Sequence, residues 1–334
     1  MIISRTPFRV SLFGGGSDYP LWYREHGGAV IGFAINKYCY ISMRPLPPFF
    51  DHKYRIVYSR IENVNTIAEI QHPAVRHVLS ETGVDFGVEI HHDGDLPARS
   101  GLGSSSSLTV GLLNAVHAQY GRMSTKAQLA EEAIRIEQDV IRENVGSQDQ
   151  VWAAFGGLNR VEFRHDGSFG VTPIIMNGER QERLIKSFML VFTGLSRQAS
   201  AIAGKKIANL KKRDGHIRRM MAMVDEAAAI LGSSTRPLDE VGALLHESWL
   251  LKRELADGIS NDTIDSIYAA ARKAGAKGGK LMGAGGGGFM LFFAEPERQP
   301  AIRDSLAKLV HVAVDVDRAG SRIVVYEPDG LHKR

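Results

Sequence analysis

The sequence predicts an α+β fold in two domains. Strand-like and helix-like segments mix along the whole chain, its 334 residues with 44% hydrophobic content support a substantial core, and no repeat, linker or low-complexity tract interrupts it. In order, Ile2-Ile3 and residues 10–13 read as strand pieces around a turn at Pro7, followed by a loop over 14–20. Residues 28–35 and 38–44 are apolar and β-branched or aromatic, so they read as strands, as do 54–58 and 86–91. A helix is expected from about 105 to 120, closed by Gly121. Ser124 caps a second one that runs to about 144. Past the Gly156-Gly157 turn, 158–163 and 171–175 read as strands, 184–192 as a buried strand, and about 199–231 and 237–274 as helices. The last third closes with the glycine run in 278–288, a strand at 289–293, a helix near 298–309, and strands at 312–316 and 322–326. The domain boundary falls between 165 and 185, giving 1–175 and 176–334.

The net charge of +4 is small for this length and suits an anionic small substrate. A nucleic-acid binder would show a dense basic run. Lys205-Lys206 and Lys211-Lys212-Arg213 read instead as a solvated helix face. Arg5 and Pro7 cut the opening MIISRTPF short of a signal peptide. No segment approaches the ~20 apolar residues of a membrane span. Cys39 is the single cysteine, so no intrachain disulfide forms, in keeping with a reducing compartment. The expectation is a cytoplasmic protein with a small-molecule substrate and no nucleic-acid or membrane partner; a homodimer is left open.

The sharpest motif is Pro97-Ala98-Arg99-Ser100-Gly101-Leu102-Gly103-Ser104-Ser105-Ser106-Ser107, running into the apolar helical pattern at Leu108. Glycine admits close backbone approach, and a helix N-terminus offers unpaired N–H groups with a positive dipole end, together an anion cradle. The row of hydroxyls adds donors and candidate magnesium ligands. On the following helix, the neighbours of Glu137 three and four residues away are Ala133, Ile134, Val140 and Ile141. A carboxylate on an apolar face either snorkels to water or meets a cation such as a metal. Asp149, in Gly146-Ser147-Gln148-Asp149-Gln150, is either a helix N-cap or a base for phosphoryl transfer. Lys280-Leu281-Met282-Gly283-Ala284-Gly285-Gly286-Gly287-Gly288 formally fits G-x-G-x-x-G but runs into a strand rather than a helix. That disfavours a dinucleotide site and suggests a bare backbone surface for a neighbouring loop or ligand. His91 and His92 are adjacent on a strand and point to opposite faces, so they do not share a metal easily.

Three motifs in order, from Thr6-Pro7-Phe8-Arg9 to Gly14, Pro97 to Ser107, and Gly283 to Gly288, resemble the signature motifs of the GHMP small-molecule kinases. The resemblance implies a ribosomal-protein-S5-domain-2-like N-terminal domain, a ferredoxin-like C-terminal domain, and ATP and Mg²⁺ as cofactors. By that resemblance Pro97, Arg99, Ser100, Gly101, Leu102, Gly103, Ser104, Ser105 and Ser106 would hold the nucleotide. Glu137 and Ser105 would ligate magnesium, and Asp149 with Arg9 would be catalytic. Gly15, Gly16, Ser17, Asp18, Arg197, Gly285 and Gly286 would contact the acceptor. Galactokinases carry Gly-Glu-His-x-Asp-Tyr where this chain has Gly14-Gly15-Gly16-Ser17-Asp18-Tyr19, so two sugar contacts are absent and room is opened. Within the family the motif set is similar to the kinases acting on the anomeric hydroxyl of a heptose 7-phosphate, with fucokinases the nearest alternative. A non-catalytic ligand sensor on the same scaffold is a third reading. Arg99, Arg197 and Lys37 are candidates for a substrate phosphate.

Overall fold

The structure, a computed structural model, describes residues 1–195 and 199–328. Along the chain, β1 (Ile2–Phe13), α1 (Pro20–His26) and β2 (Gly28–Pro45) come first, then β3 (Tyr54–Val57), β4 (Ile61–Val64), α2 (Pro73–Glu81) and β5 (Val88–Gly94). Three helices follow, α3 (Ser104–Gln119), α4 (Lys126–Arg135) and α5 (Gln148–Phe155), and the pair β6 (Leu158–Phe163) and β7 (Phe169–Pro173). The second half holds α6 (Gly178–Lys186), β8 (Phe188–Phe192), α7 (Ala199–Asn209), α8 (Asp214–Gly232), α9 (Asp239–Arg253) and α10 (Asp262–Lys273). It ends with β9 (Gly278–Leu281), β10 (Phe289–Phe293), α11 (Gln299–Ser305), β11 (Val310–Val312) and β12 (Arg322–Tyr326).

Two sheets organise these elements. The first has the order β12-β1-β2-β5-β3-β4 with β6 and β7 branching from β2; the second has the order β11-β8-β10-β9. At 18 residues β2 is long enough to serve two partners along one edge. Gly28 to Phe33 pair with β6, and Cys39 to Pro45 pair with β5. The helix α3 packs across β1 and β2, burying Leu108, Val110, Leu112, Leu113 and Val116. A second cluster, including Trp249, Tyr268, Met290 and Phe292, fills the space around the smaller sheet.

Several expected boundaries move. The chain does not turn at Pro7: β1 runs through it, with a register shift against β2 between Pro7 and Phe8. Proline brings no N–H to a ladder, and a bulge absorbs the mismatch without ending the strand. The strands expected at 28–35 and 38–44 are likewise one strand spanning that bulge. His91 and His92 lie inside β5 rather than at a strand end. Thr125, not Ser124, caps α4, because Gln128 returns the bond in a capping box. Beyond α4 the backbone forms a π-turn at Ile136–Val140 instead of running helical to 144. Residues 184–186 close α6, whose start is capped by Asn177, so the buried strand begins only at Phe188. The long helical stretches break at 210–213 and 254–261, the second break ending at the cap Asn261. Residues 312–316 keep strand pairing at Val312 and a single bridge from Val316 to Ile35. Finally, β12 pairs with β1, so a single cut at 175/176 does not describe the last strand.

Candidate active site

A cavity of about 580 Å³ lies where the 99–105 turn, the end of β1, the 142–149 segment and the 280–284 segment converge. The turn is shaped by two glycines with positive φ, Gly101 at 85° and Gly103 at 76°. Gly103 is the N-cap of α3, and no side chain caps the first-turn N–H groups. Gly101, Gly103, Ser104 and Ser105 line the cavity, so the amino end of a 16-residue helix opens onto it. Such an end suits an anion such as phosphate, and the turn is called the phosphate turn below for that expectation.

The glycine run supports this turn from the other side. A Cβ on Gly101 would come 2.7 Å from the Met282 carbonyl oxygen, and one on Gly283 would come 2.6 Å from the Gly101 Cα. One on Gly288 would meet the Ser100 carbonyl oxygen at 2.3 Å. The run is therefore the bare backbone surface expected, and its neighbour is the phosphate turn itself.

Arg9 and Asp149 meet as a two-pronged ion pair. Arg9 Nε donates to Asp149 Oδ1 at 2.7 Å and Nη2 to Oδ2 at 2.6 Å. Its remaining nitrogen Nη1 donates to the Gly101 carbonyl at 2.7 Å. Such a fork fixes position and orientation together. Gly103 lies against both partners: a Cβ there would meet Arg9 Cγ at 3.2 Å and Asp149 Oδ2 at 3.4 Å. Ser147, not Asp149, occupies the N-cap position of α5, so the capping reading of Asp149 fails. Tyr19 also lines the cavity; burial pushes its phenol pKa up, with Asp18 and Asp149 adding to the rise, so it stays a donor.

Glu137 does not snorkel. It is 1% exposed, set on the π-turn, a backbone form common at functional positions. Its Oε2 accepts from Ser106 Oγ at 2.8 Å and from Gln150 Nε2 at 2.5 Å. Oε1 is buried with no hydrogen-bond partner. Burial pushes its pKa up to about 7, against the lowering effect of its hydroxyl and amide donors. Among the described residues no three His, Cys, Asp or Glu side chains cluster as a metal cage. Glu137 and Ser106 are not on the cavity wall, where Ser105 is, but one carboxylate with an unbonded oxygen beside the Ser106 hydroxyl is a donor set for magnesium, which takes few protein ligands and completes its shell with water and phosphate. The residues present fit the ion.

The structure sorts the remaining expected site residues. Arg99, Gly15 and Asp18 line the cavity with those already described. Asp18 is held by the Gly16 N–H and by Gln148 Nε2, both at 2.7 Å. Ser17 points away and is fully buried, its hydroxyl bonding the Gly14 and Ala29 carbonyls. Gly16 contributes only its N–H to Asp18. Pro97, Ser100, Leu102 and Ser106 do not line the cavity, Pro97 being exposed and the other three buried; the Leu102 carbonyl accepts from the Arg9 N–H. Ser106 rather than Ser105 touches Glu137, because the helix phase turns Ser105 to the cavity and Ser106 to the core. Gly285 and Gly286 pack on Ile259 while Gly283 and Ala284 face the cavity. Arg197 lies outside the described residues, and Lys37 is not on the wall. Lys252 and Lys280 line the cavity and were not foreseen. Lys252 shares a buried helix face with Leu245, Ser248 and Trp249, the signal that singled out Glu137.

The chain matches the family model for the GHMP kinases N terminal domain over residues 65–157 and that for the GHMP kinases C terminal domain over 226–311. It is 28% identical over 317 residues to a D-glycero-alpha-D-manno-heptose 7-phosphate kinase of Campylobacter jejuni, covering 92% of this chain and 93% of that protein. It is 25% identical to the bifunctional fucokinase/GDP-fucose pyrophosphorylase of Arabidopsis thaliana, over 93% of this chain and 31% of that one. Among solved structures, a D-glycero-D-manno-heptose 1-phosphate kinase from Bacteroides thetaiotaomicron superposes with a TM-score of 0.79 at 22% identity, covering 98% of this chain and all of that one. The galactokinase of Lactococcus lactis, solved with galactose, gives a TM-score of 0.75 at 17% identity, covering 96% of this chain and 94% of that one. Both share its fold. No described helix is long and apolar enough to cross a membrane. With the phosphate turn, the Arg9–Asp149 pair and the glycine run in these places, the chain belongs to the GHMP kinases and is a sugar kinase of that family.

Proposed function

We propose that this kinase transfers the γ-phosphoryl group of ATP to the anomeric hydroxyl of D-glycero-D-manno-heptose 7-phosphate, as a cytoplasmic enzyme of nucleotide-activated heptose synthesis. The observation that carries the reading is the Arg9–Asp149 fork set directly against the phosphate turn, with Arg9 bonded to both Asp149 and Gly101. The near full-length likeness to the heptose 7-phosphate kinase supports the acceptor. Gly15 on the cavity wall supports it too, since it leaves space where a side chain would narrow the acceptor end.

In this reading the triphosphate lies along the amino end of α3, whose N–H groups and dipole stabilise its charge. Asp149 accepts the hydrogen bond of the attacking hydroxyl, orients its lone pair in line, and takes the proton as the new ester forms. Arg9 holds that carboxylate in place and ties it to the turn beneath the transferring group. Glu137, with Ser106 and Gln150 fixing its other oxygen, would ligate Mg²⁺ through Oε1; a bound Mg²⁺ neutralises charge on the phosphate oxygens.

A coupled ADP assay across phosphorylated heptoses and hexoses, with ³¹P NMR locating the new ester, tests the reading. Heptose 7-phosphate should give the highest kcat/KM and a new anomeric phosphate signal. The fucokinase-named relatives favour a second reading, which gains if fucose is turned over and the heptose phosphate is not.

A further inference from the structure

Among the described residues only two that are not glycine have a positive φ, Arg99 at 59° and Arg142 at 61°, and both line the cavity. An L-residue in this left-handed region is held there against its preference, and such residues gather at active sites and ligand clamps. Arg142 ends the π-turn that carries Glu137: the Ile141 N–H donates to the Ile136 carbonyl and the Glu143 N–H to the Glu137 carbonyl, both at 2.8 Å. Glycine is the usual residue at such a helix exit. The arginine brings no local bond in exchange, for among the described residues its guanidinium has no hydrogen bond and no ion pair. Arg9, by contrast, is engaged by Asp149. The Arg142 segment lies within electrostatic reach of the phosphate turn, since the Arg99 charge acts on the neighbouring Glu143 carboxylate. The loop bearing Asp18 is met only further along, where the Ser147 N–H donates to the Asp18 carbonyl and Gln148 Nε2 to its carboxylate.

We propose that Arg142 binds the terminal phosphates of the nucleotide, as a cation that the segment following Glu137 supplies to the triphosphate subsite. The inference rests on the reading above that lays the triphosphate along the amino end of α3. A planar guanidinium offers a fork of donors to phosphate oxygens and keeps its charge at every working pH. The Glu143 bond to the Glu137 carbonyl puts the carboxylate offered to Mg²⁺ and the guanidinium offered to phosphate on one turn. Glycine at 142 would relax that turn and lose the contact, so the strained backbone is the mark of a side chain kept for its ligand.

The test compares wild type, Arg142→Gly and Arg142→Gln by thermal melts and by calorimetric titration with a non-hydrolysable ATP analogue and with AMP, each with Mg²⁺. Arg142→Gly should melt no lower than wild type, because glycine suits the left-handed turn, yet bind the triphosphate analogue about 10- to 100-fold more weakly, the scale of a charged hydrogen-bond partner lost. Its affinity for AMP should not change. Arg142→Gln drops the charge and keeps the strained backbone, so it should lose the same affinity without any rise in melting temperature. Variants that hold the triphosphate analogue as tightly as wild type, or that lose AMP equally, overturn the clamp. So does a fall in the melting temperature of Arg142→Gly, which would show an arginine kept for the fold. Unchanged nucleotide binding with a KM raised only for a phosphorylated sugar also overturns it, by assigning the guanidinium to the acceptor. The titrations need no acceptor, so a failure of heptose 7-phosphate to react leaves the clamp standing. A wild type that does not bind the triphosphate analogue overturns the clamp and the proposed reaction together.

Discussion

Replacing Asp149 by Asn keeps the shape of the side chain and removes the charge that Arg9 grips through both oxygens. Turnover should fall about 10²- to 10⁴-fold while a non-hydrolysable ATP analogue still binds in calorimetry; retained kcat would remove Asp149 from the reaction. Gln150 stands next along α5 and faces the other way, bonding Glu137. Gln150→Leu should raise the Mg²⁺ needed for half-maximal activity about 10- to 100-fold, with a matching loss of Mn²⁺ affinity read by electron paramagnetic resonance. At this scale much of the site was legible. Glu137 betrayed itself as a charge among apolar neighbours, and Asp149 and Arg9 by their motifs. The division of labour between Ser105 and Ser106 was not legible, because it depends on the rotation at which α3 meets β1. Lys252 was legible by the Glu137 argument, and the same reasoning applied to Trp249 and Leu245 exposes it.

At the scale of elements, the most constrained contact is backbone against backbone. Gly283→Ala would push a Cβ to 2.6 Å from the Gly101 Cα at a φ of 66°. Gly121 has the same φ, 66°, and a Cβ there would meet nothing within 4 Å. Gly121→Ala should therefore cost only the conformational term, about 1–2 kcal/mol. Gly283→Ala should cost more and also lower kcat/KM, since the phosphate turn must move; thermal melts and the ADP assay on the two variants check both statements. Elements bounded by local chemistry were readable, as α3 was from its glycine–serine start and Gly121 stop. Those decided by pairing were not. Only the partner strand shows that β1 continues past Pro7, and only the core shows that 184–186 end a helix.

For the molecule as a whole, the buried carboxylate of Glu137 links stability to pH. Its pKa is about 7 in the fold against an ordinary 4.5, so the native state holds the proton more tightly than the unfolded chain between those values. Metal-free stability is then highest at the acid end of that window and falls as pH rises through it, by as much as about 3 kcal/mol. Melts in EDTA from pH 5 to 8 should show this slope in wild type and lose it in Glu137→Gln; identical profiles would contradict it. The two-domain α+β class was readable from the mixture of patterns, but the return of β12 was not, because the short, mostly apolar run Arg322–Tyr326 carries no record of which edge it joins. Deleting 322–328 should lower the melting temperature and the activity together, since β12 borders the strand that holds Arg9.

That closing strand also sets a timetable. Ile2 pairs with Tyr326, a contact spanning almost the whole sequence. Pairings so distant along the chain are slow to form. On the ribosome, β1 waits with one flank unpaired until its neighbour has been synthesised and has cleared the exit tunnel. The nascent protein should therefore acquire its full activity only after translation of the last strand, and it passes through that interval with an open sheet border suited to capture by a chaperone.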